Sequence, residues 1–256
     1  CPDTISRRPD AFAVEAARGA PSAELMTQHA KTAPRPSQGP VRELIDTVRV
    51  VAIGLLAATA IQTTLYQPFT IPSSSMEPGL VIGDYVVVSK FAYGWSRASL
   101  PFNPPLPEAR LFGRTAERGD VVVFRRPSAP QQTWVKRVIG LPGDRVQVMG
   151  GTVFVNGSAI PRTPLNLVQD QDDSGVQVLR VRETTPEGRQ YLTYDRGSGL
   201  PGDDTGVYVV PEGQYFMMGD NRDNSLDSRW PGDVGVGLLP GQQTLGKAQV
   251  RVGARE

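Results

Sequence analysis

The chain is poor in the residues that most often build a catalytic or metal centre. Its 256 residues hold one cysteine, Cys1, and one histidine, His29. A lone cysteine can form no intrachain disulfide and does not report the redox compartment. Zinc centres made from Cys and His are excluded with it, and no metal or cofactor is expected. Charge of one sign is lacking as well. With 27 basic against 26 acidic residues, the net charge of +1 gives no electrostatic case for nucleic acid. What the length does allow is one or two domains with a sizeable core.

One apolar run stands out. Residues 1–40 are rich in Ala, Pro, Ser and Arg without a sustained apolar period, and read as a disordered cytoplasmic tail. Met26 is a candidate start within it, and a lipid-modified Cys1 is disfavoured because the apolar anchor comes later. "VRVVAIGLLAATAIQTTLYQPF", Val48 to Phe69, then predicts a membrane-spanning helix over residues 43–67. A span needs roughly 20 mostly apolar residues, so Leu44 and Ile45 must be included or Arg49 must snorkel. Pro68 is expected to end it. The alternative is the buried helix of a soluble protein. Lys31, Arg35, Arg42 and Arg49 precede or open the run, and the next basic residues are Lys90 and Arg97. That bias puts the N-terminus in the cytoplasm and the remainder outside a single-pass anchor.

Downstream, short β-rich runs alternate with Gly, Pro and Asp. Strands are expected at Asp84–Phe91, Asp120–Pro127, Thr133–Gly140, Asp144–Gly150, Gly213–Asp220 and Lys247–Val252. "TVFVNGSAI" carries Asn156-Gly157 between apolar residues, the signal of a two-residue hairpin turn. The fold class is therefore mostly β, with coiled antiparallel sheets behind one N-terminal helix. Residues 158–205, with weaker strands at Val176–Arg182 and Gln190–Tyr194, read as an inserted subdomain within a β-domain of 70–157 and 206–256. "GSGLPG", Gly197 to Gly202, has dinucleotide-loop spacing but leads to a strand, so it is a plain loop.

The missing histidine limits the chemistry. His29 lies before the anchor, so no Ser-His-Asp triad can form in the outward domain. A serine nucleophile would need a carboxylate or a desolvated lysine as its base. Lys136 in "TWVKRVIGL" shares a strand face with Trp134 and Val138, an apolar setting that disfavours the ammonium form. Lowering it to about 8 requires roughly 3 kcal/mol of differential solvation. From position alone an exposed, ordinary lysine is the leading reading. Lys90 is the rival base, and Lys247 reads as a surface charge. "QPFTIPSSSMEPG" places Ser73, Ser74 and Ser75 between prolines, and a linker leads over a rigid nucleophile loop. "GDNRDNSLDSR", Gly219 to Arg229, is a polar turn, a calcium loop that lacks the Gly an EF-hand needs at its middle, or an Asp-Arg network bracing a site.

Three stretches taken together resemble bacterial type I signal peptidase. "PSSSMEPGLVIGDYVVVSKFAYG", then "RGDVVVFRRP" with "WVKRVIGLPGDRV", then "GDNRDNSLDSR" look like that family's successive motif boxes behind an anchor. The resemblance covers roughly residues 45–157 and 206–240. It implies a β-rich serine endopeptidase that cleaves signal peptides after small residues, with Ser75 as nucleophile and Lys136 as general base. Ser73 falls on the side-chain oxyanion donor, working beside the Ser75 N–H. Ser225 matches the serine that orients the lysine, and Asp227 with Arg229 a bracing ion pair. Arg137 takes a supporting role, Met76 a substrate-binding one, and Ser74 none. Gly79 departs from the Thr usual there, which should affect loop stiffness alone. The implied partners are signal peptides of exported preproteins and the bilayer of the bacterial inner membrane, with the catalytic domain on the periplasmic side. The aromatic, proline-rich stretch 91–107 reads either as touching that bilayer or as a packed loop. Two other readings are a serine-lysine peptidase dedicated to a conjugation or pilus protein, and a catalytically silent membrane-anchored β-domain.

Overall fold

The computed structural model describes residues 39–94, 113–170 and 175–252. The tail with Cys1, Met26 and His29, and most of the 91–107 stretch, lie outside the described residues. The helix, α1, spans Pro40–Leu65. Pro40 occupies the first turn, where its missing N–H costs nothing, and Glu43 there complements the helix dipole. Leu44, Val48, Val51, Leu55 and Leu56 are all more than half exposed. None of the stretch Pro40–Ile61 is buried, and it is long and apolar enough to cross a membrane. A soluble core helix is therefore not what this segment forms. Nor does Pro68 end it: the helix stops at Leu65, and Pro68 lies inside a strand on the sheet edge, where its missing N–H is tolerated.

That strand is β1 (Tyr66–Thr70), followed by β2 (Tyr85–Ser89), β3 (Val121–Arg126), β4 (Ala129–Gly140) and β5 (Arg145–Met149). Then come β6 (Thr152–Val155), β7 (Ser158–Ala159), β8 (Arg162–Gln169), β9 (Gln177–Thr184) and β10 (Gln190–Asp195). The last are β11 (Tyr208–Val209), β12 (Gln214–Met218), β13 (Leu238–Pro240) and β14 (Thr244–Val252). A seven-stranded sheet has the order β1-β2-β14-β3-β4-β12-β13, a four-stranded sheet β11-β5-β6-β7, and a three-stranded sheet β10-β9-β8. All their strand pairs are antiparallel. The β6–β7 turn is the Asn156-Gly157 pair, with φ of 53° and 82°, the left-handed geometry that a two-residue hairpin needs.

Alternation decides which faces are buried. Val146, Val148, Val153 and Val155 point inward from β5 and β6 and pack on Ile139, Phe216 and Met218 of the large sheet. A second cluster, Ile71, Met76, Leu80, Val86, Val88, Val123, Val135 and Leu245, lies under the segment between β1 and β2. Two lysines depart from expectation. Lys90 opens a 3₁₀ turn, Lys90–Tyr93, rather than continuing β2. Lys247 is no ordinary surface charge, because its Nζ lies 2.7 Å from the buried carboxylate of Asp120.

Candidate active site

The serine segment is a built loop rather than a linker. Ser74–Met76 form one 3₁₀ turn, with Glu77 N–H donating to Ser74 O at 2.9 Å and Leu80 N–H to Met76 O at 2.9 Å. At its ends Ile71 N–H donates to Asp84 O and Gly83 N–H to Ile71 O, both at 2.9 Å. Ser74 and Ser75 are buried, and Met76 is fully so. Met76 therefore packs in the core cluster with Ile71 and Val86, not along the cleft, and its side chain pins the loop from beneath.

β4 brings Lys136 to this loop. Its Nζ donates to Ser75 Oγ at 2.5 Å, and the lysine is only 4% exposed. Register explains the placement: Lys136 faces Val122 on β3, and its Nζ lies 5.6 Å from the Trp134 ring. Burial lowers its pKa from 10.5 to about 8, against the opposing pull of the Asp227 and Asp220 carboxylates. The exposed, ordinary lysine does not describe this residue. Lys90 is lowered too, by burial and by Arg125, but it lines no part of the serine cleft.

Around the pair runs a cleft of about 570 Å³ with Ser73, Ser75, Lys136 and Ser225 on its wall, and Phe69, Ile71, Trp134, Leu226 and Trp230 among its apolar lining. Ser73 Oγ stands 3.4 Å from Ser75 Oγ. The β12 pairing with β4 begins at Arg137, so Thr133–Lys136 present an edge to the cleft that β12 does not cover.

"GDNRDNSLDSR" packs against the back of the serine loop. Asn221 N–H donates to Ser75 O at 3.1 Å, and Asn224 Nδ2 to Ser74 Oγ at 3.0 Å, so Ser74 is a docking point rather than a bare spacer. Arg229 forks Asp227, Nε to Oδ1 and Nη2 to Oδ2, each at 2.9 Å. Gly219 N–H adds a bond to Asp227 Oδ2 at 3.0 Å. Burial pushes the Asp227 carboxyl up, but Arg229 and the Gly219 N–H outweigh it and hold the group below its usual value. Arg137 grips Asp220 with two bonds of 2.7 and 2.6 Å and reaches Gly119 O at 2.7 Å. Ser225 is placed differently from expectation. Its Oγ is buried without a hydrogen bond, so no bond from it orients Lys136 here, and it lies instead over Gly219.

Sequence reasoning passed over Asp220, Asn221 and Arg222 individually, and missed Glu183 and Tyr191 altogether. The first three stand inside a quoted motif, where charge density announced a network without naming partners. Glu183 had a fainter signal. It is an acidic residue in phase with the inward Val181 of β9, where an apolar residue would be expected.

A serine hydroxyl bonded to a buried amine of lowered pKa, within an apolar cleft of an antiparallel β frame, is the equipment of a serine hydrolase. The sequence profile of "Signal peptidase, peptidase S26" matches residues 44–253. Signal peptidase I of Rickettsia typhi is 41% identical over 200 residues, covering 75% of this chain and 74% of the relative. That of Rickettsia akari is 39% identical over 208 residues, covering 78% and 74%. A crystal structure of a signal peptidase I from Enterococcus faecalis covers 53% of this chain and 98% of its own, at 24% identity and a TM-score of 0.31. The chain belongs to the signal peptidase family, and with it to the serine endopeptidases that hydrolyse signal peptides.

Proposed function

We propose that this enzyme is anchored in the bacterial inner membrane by α1, with its N-terminus cytoplasmic, and removes signal peptides from exported preproteins after small residues by a Ser75-Lys136 dyad. The observation that carries the reading is the 2.5 Å contact between Lys136 Nζ and Ser75 Oγ, made by a lysine that burial has brought to a pKa of about 8. A neutral amine there is the base that an outward domain without histidine requires.

In the forward step Ser75 Oγ attacks the scissile carbonyl carbon while its proton passes to the lone pair of Lys136. The tetrahedral oxyanion is met by the Ser75 N–H and the Ser73 hydroxyl, whose Oγ is 3.4 Å from the nucleophile. Collapse breaks the C–N bond, and the leaving amine of the mature protein takes the proton from Lys136. A water then gives a proton to the same amine and attacks the ester carbonyl; the acyl C–Oγ bond breaks, releasing the carboxyl product, and Lys136 returns the proton to Ser75 Oγ. Asp227, Arg229, Asp220 and Arg137 hold the frame, with Asp227 and Asp220 also countering the desolvation of Lys136. Substrate lies extended along Thr133–Lys136, as an added strand whose alternate side chains enter the cleft.

Labelling by a serine-reactive acylating inhibitor tests this. Ser75 is expected to carry the adduct, and labelling that persists in Ser75→Ala overturns the assignment.

A further inference from the structure

The three-stranded sheet β8–β10 has no role in the mechanism above, yet its buried groups run into the centre. Glu183 on β9 is fully buried. It accepts two bonds from Arg222, Nη1 to Oε1 at 2.8 Å and Nη2 to Oε2 at 2.6 Å, and a third from the Tyr191 hydroxyl at 2.9 Å. Arg162 Nε lies 3.6 Å from Oε1. A buried carboxylate with this set of donors is fixed in place, and its guanidinium partner with it.

Arg222 then passes that order on. Its Nε donates to Gly219 O at 3.1 Å, and its own carbonyl accepts from Arg229 Nη2 at 2.5 Å. Arg229 is the residue that forks Asp227, and Gly219 N–H binds the same carboxylate. Asp227 is in turn the largest counter-charge acting on Lys136. The Arg137 guanidinium lies over the Tyr191 ring, 4.4 Å from its centroid, while gripping Asp220. β10 also joins the motif backbone directly, with Tyr194 N–H donating to Asp220 O and Arg222 N–H to Tyr194 O, both at 2.9 Å.

We propose that Glu183 is a positioning residue of the reaction: it holds Arg222, and through Arg222 the Gly219 backbone and the Arg229–Asp227 pair beside Lys136. The β8–β10 sheet thus reaches the catalytic centre through Glu183 and the groups that hold it. The sheet does not need Glu183 simply to stay attached. Arg189 already ties it to Asp120 at 2.5 Å and to Glu117 at 2.6 Å, and Arg118 binds Glu187 at 3.0 Å.

The inference rests on the Ser75-Lys136 reading, and the experiment separates the two. The full chain in detergent is assayed for preprotein cleavage, with thermal unfolding measured alongside. Glu183→Gln keeps the shape and removes the charge. Its kcat should fall about tenfold or more with KM within about twofold, the mark of misplaced reacting groups rather than lost binding. Glu183→Asp, which keeps the charge, should recover part of that loss. Arg189→Gln breaks ion pairs that tie the same sheet to Glu117 and Asp120 rather than to residues 219–229, and should lower the unfolding temperature while keeping the wild-type kcat. Wild-type kcat in folded Glu183→Gln, or equal losses in it and Arg189→Gln, overturns the inference. Should Glu183→Gln fail to fold, Tyr191→Phe, which removes one donor to the carboxylate, reads the same coupling: a threefold loss of kcat, on the order expected for one hydrogen bond, supports it and an unchanged kcat overturns it. Cleavage surviving in Ser75→Ala instead sinks the dyad itself.

Discussion

Lys136 Nζ and Ser75 Oγ meet at 2.5 Å across a separation of 61 residues, with both side chains held in the protein interior. β4 brings the amine to a loop braced from beneath by Met76 and from behind by Asn221. The contact makes the following outcomes expected.

Ser75→Ala and Lys136→Ala should each lower preprotein cleavage by at least about a thousandfold, because groups that act as a unit are lost together. Lys136→Arg should be as inactive, since a guanidinium stays protonated and cannot take the serine proton. Gel-based cleavage of a purified preprotein reads all three. Substantial turnover in any of them is incompatible with the dyad.

The pH profile should report the lysine. Neutral amine accumulates as pH rises through about 8, so kcat/KM should rise with pH and level off above that value. Asp227 is a counter-charge that raises this pKa, so residual activity of Asp227→Asn should have its midpoint at lower pH. A flat profile between pH 6 and 9, on the order of the range where the amine titrates, would count against a lysine base.

Holding that amine in the interior costs stability. With the folded-state pKa near 8 and the ordinary value 10.5, the unfolded chain binds the extra proton between these limits. The stability contributed by Lys136 therefore rises with pH from about 8 to 10.5 and is lost as pH falls through the folded pKa. At neutral pH the deficit is about 3 kcal/mol. Lys136→Met, of similar length and apolar, should then unfold at higher urea than the wild type at pH 7, by about 1–3 kcal/mol. A loss of stability there means that the lysine is not paying a desolvation penalty.

Gly219 has no room for a side chain. A Cβ there would stand 2.3 Å from Ser225 Oγ and 2.5 Å from Ser75 O, the carbonyl of the candidate nucleophile. Gly219→Ala should destabilise by about 1–3 kcal/mol and displace Ser75 enough to cost about a hundredfold in kcat. Urea unfolding with cleavage kinetics checks both, and normal turnover in the variant means that the loop can yield.

Gly79 is tighter than its reading as a stiffness change allows. A Cβ there would lie 2.7 Å from Asp220 Oδ2 and 3.2 Å from Met76 O. Gly79→Thr should push Asp220 out of the Arg137 fork and lower stability by about 1–3 kcal/mol. Unfolding at unchanged urea concentration would show that the pair shifts freely.

Much of the frame was legible before any coordinates. Val86 and Val88 of β2, and Val146 and Val148 of β5, alternate inward as a half-buried strand must, and Asn156-Gly157 can hardly be anything but a hairpin turn. The end of α1 was misread because Pro68 is compatible with both a helix stop and an edge strand, and only pairing with Val87 selects the second. Met76 was misjudged for a related reason: adjacency to Ser75 says nothing about which way a side chain turns in a 3₁₀ turn.

By itself the sequence determined where most of the strands lie along the chain, the apolar helix ahead of them, and a chemistry forced away from histidine, because periodicity, turn propensity and residue inventory are local properties. It also carried motif boxes long enough to mark Ser75 and Lys136. Only the tertiary structure decided that Lys136 is desolvated, that Ser225 makes no bond to it, and that Glu183, from a sheet with no motif of its own, holds Arg222. Burial and ion pairing depend on which distant strands meet, and no spacing along the chain encodes a distance across it.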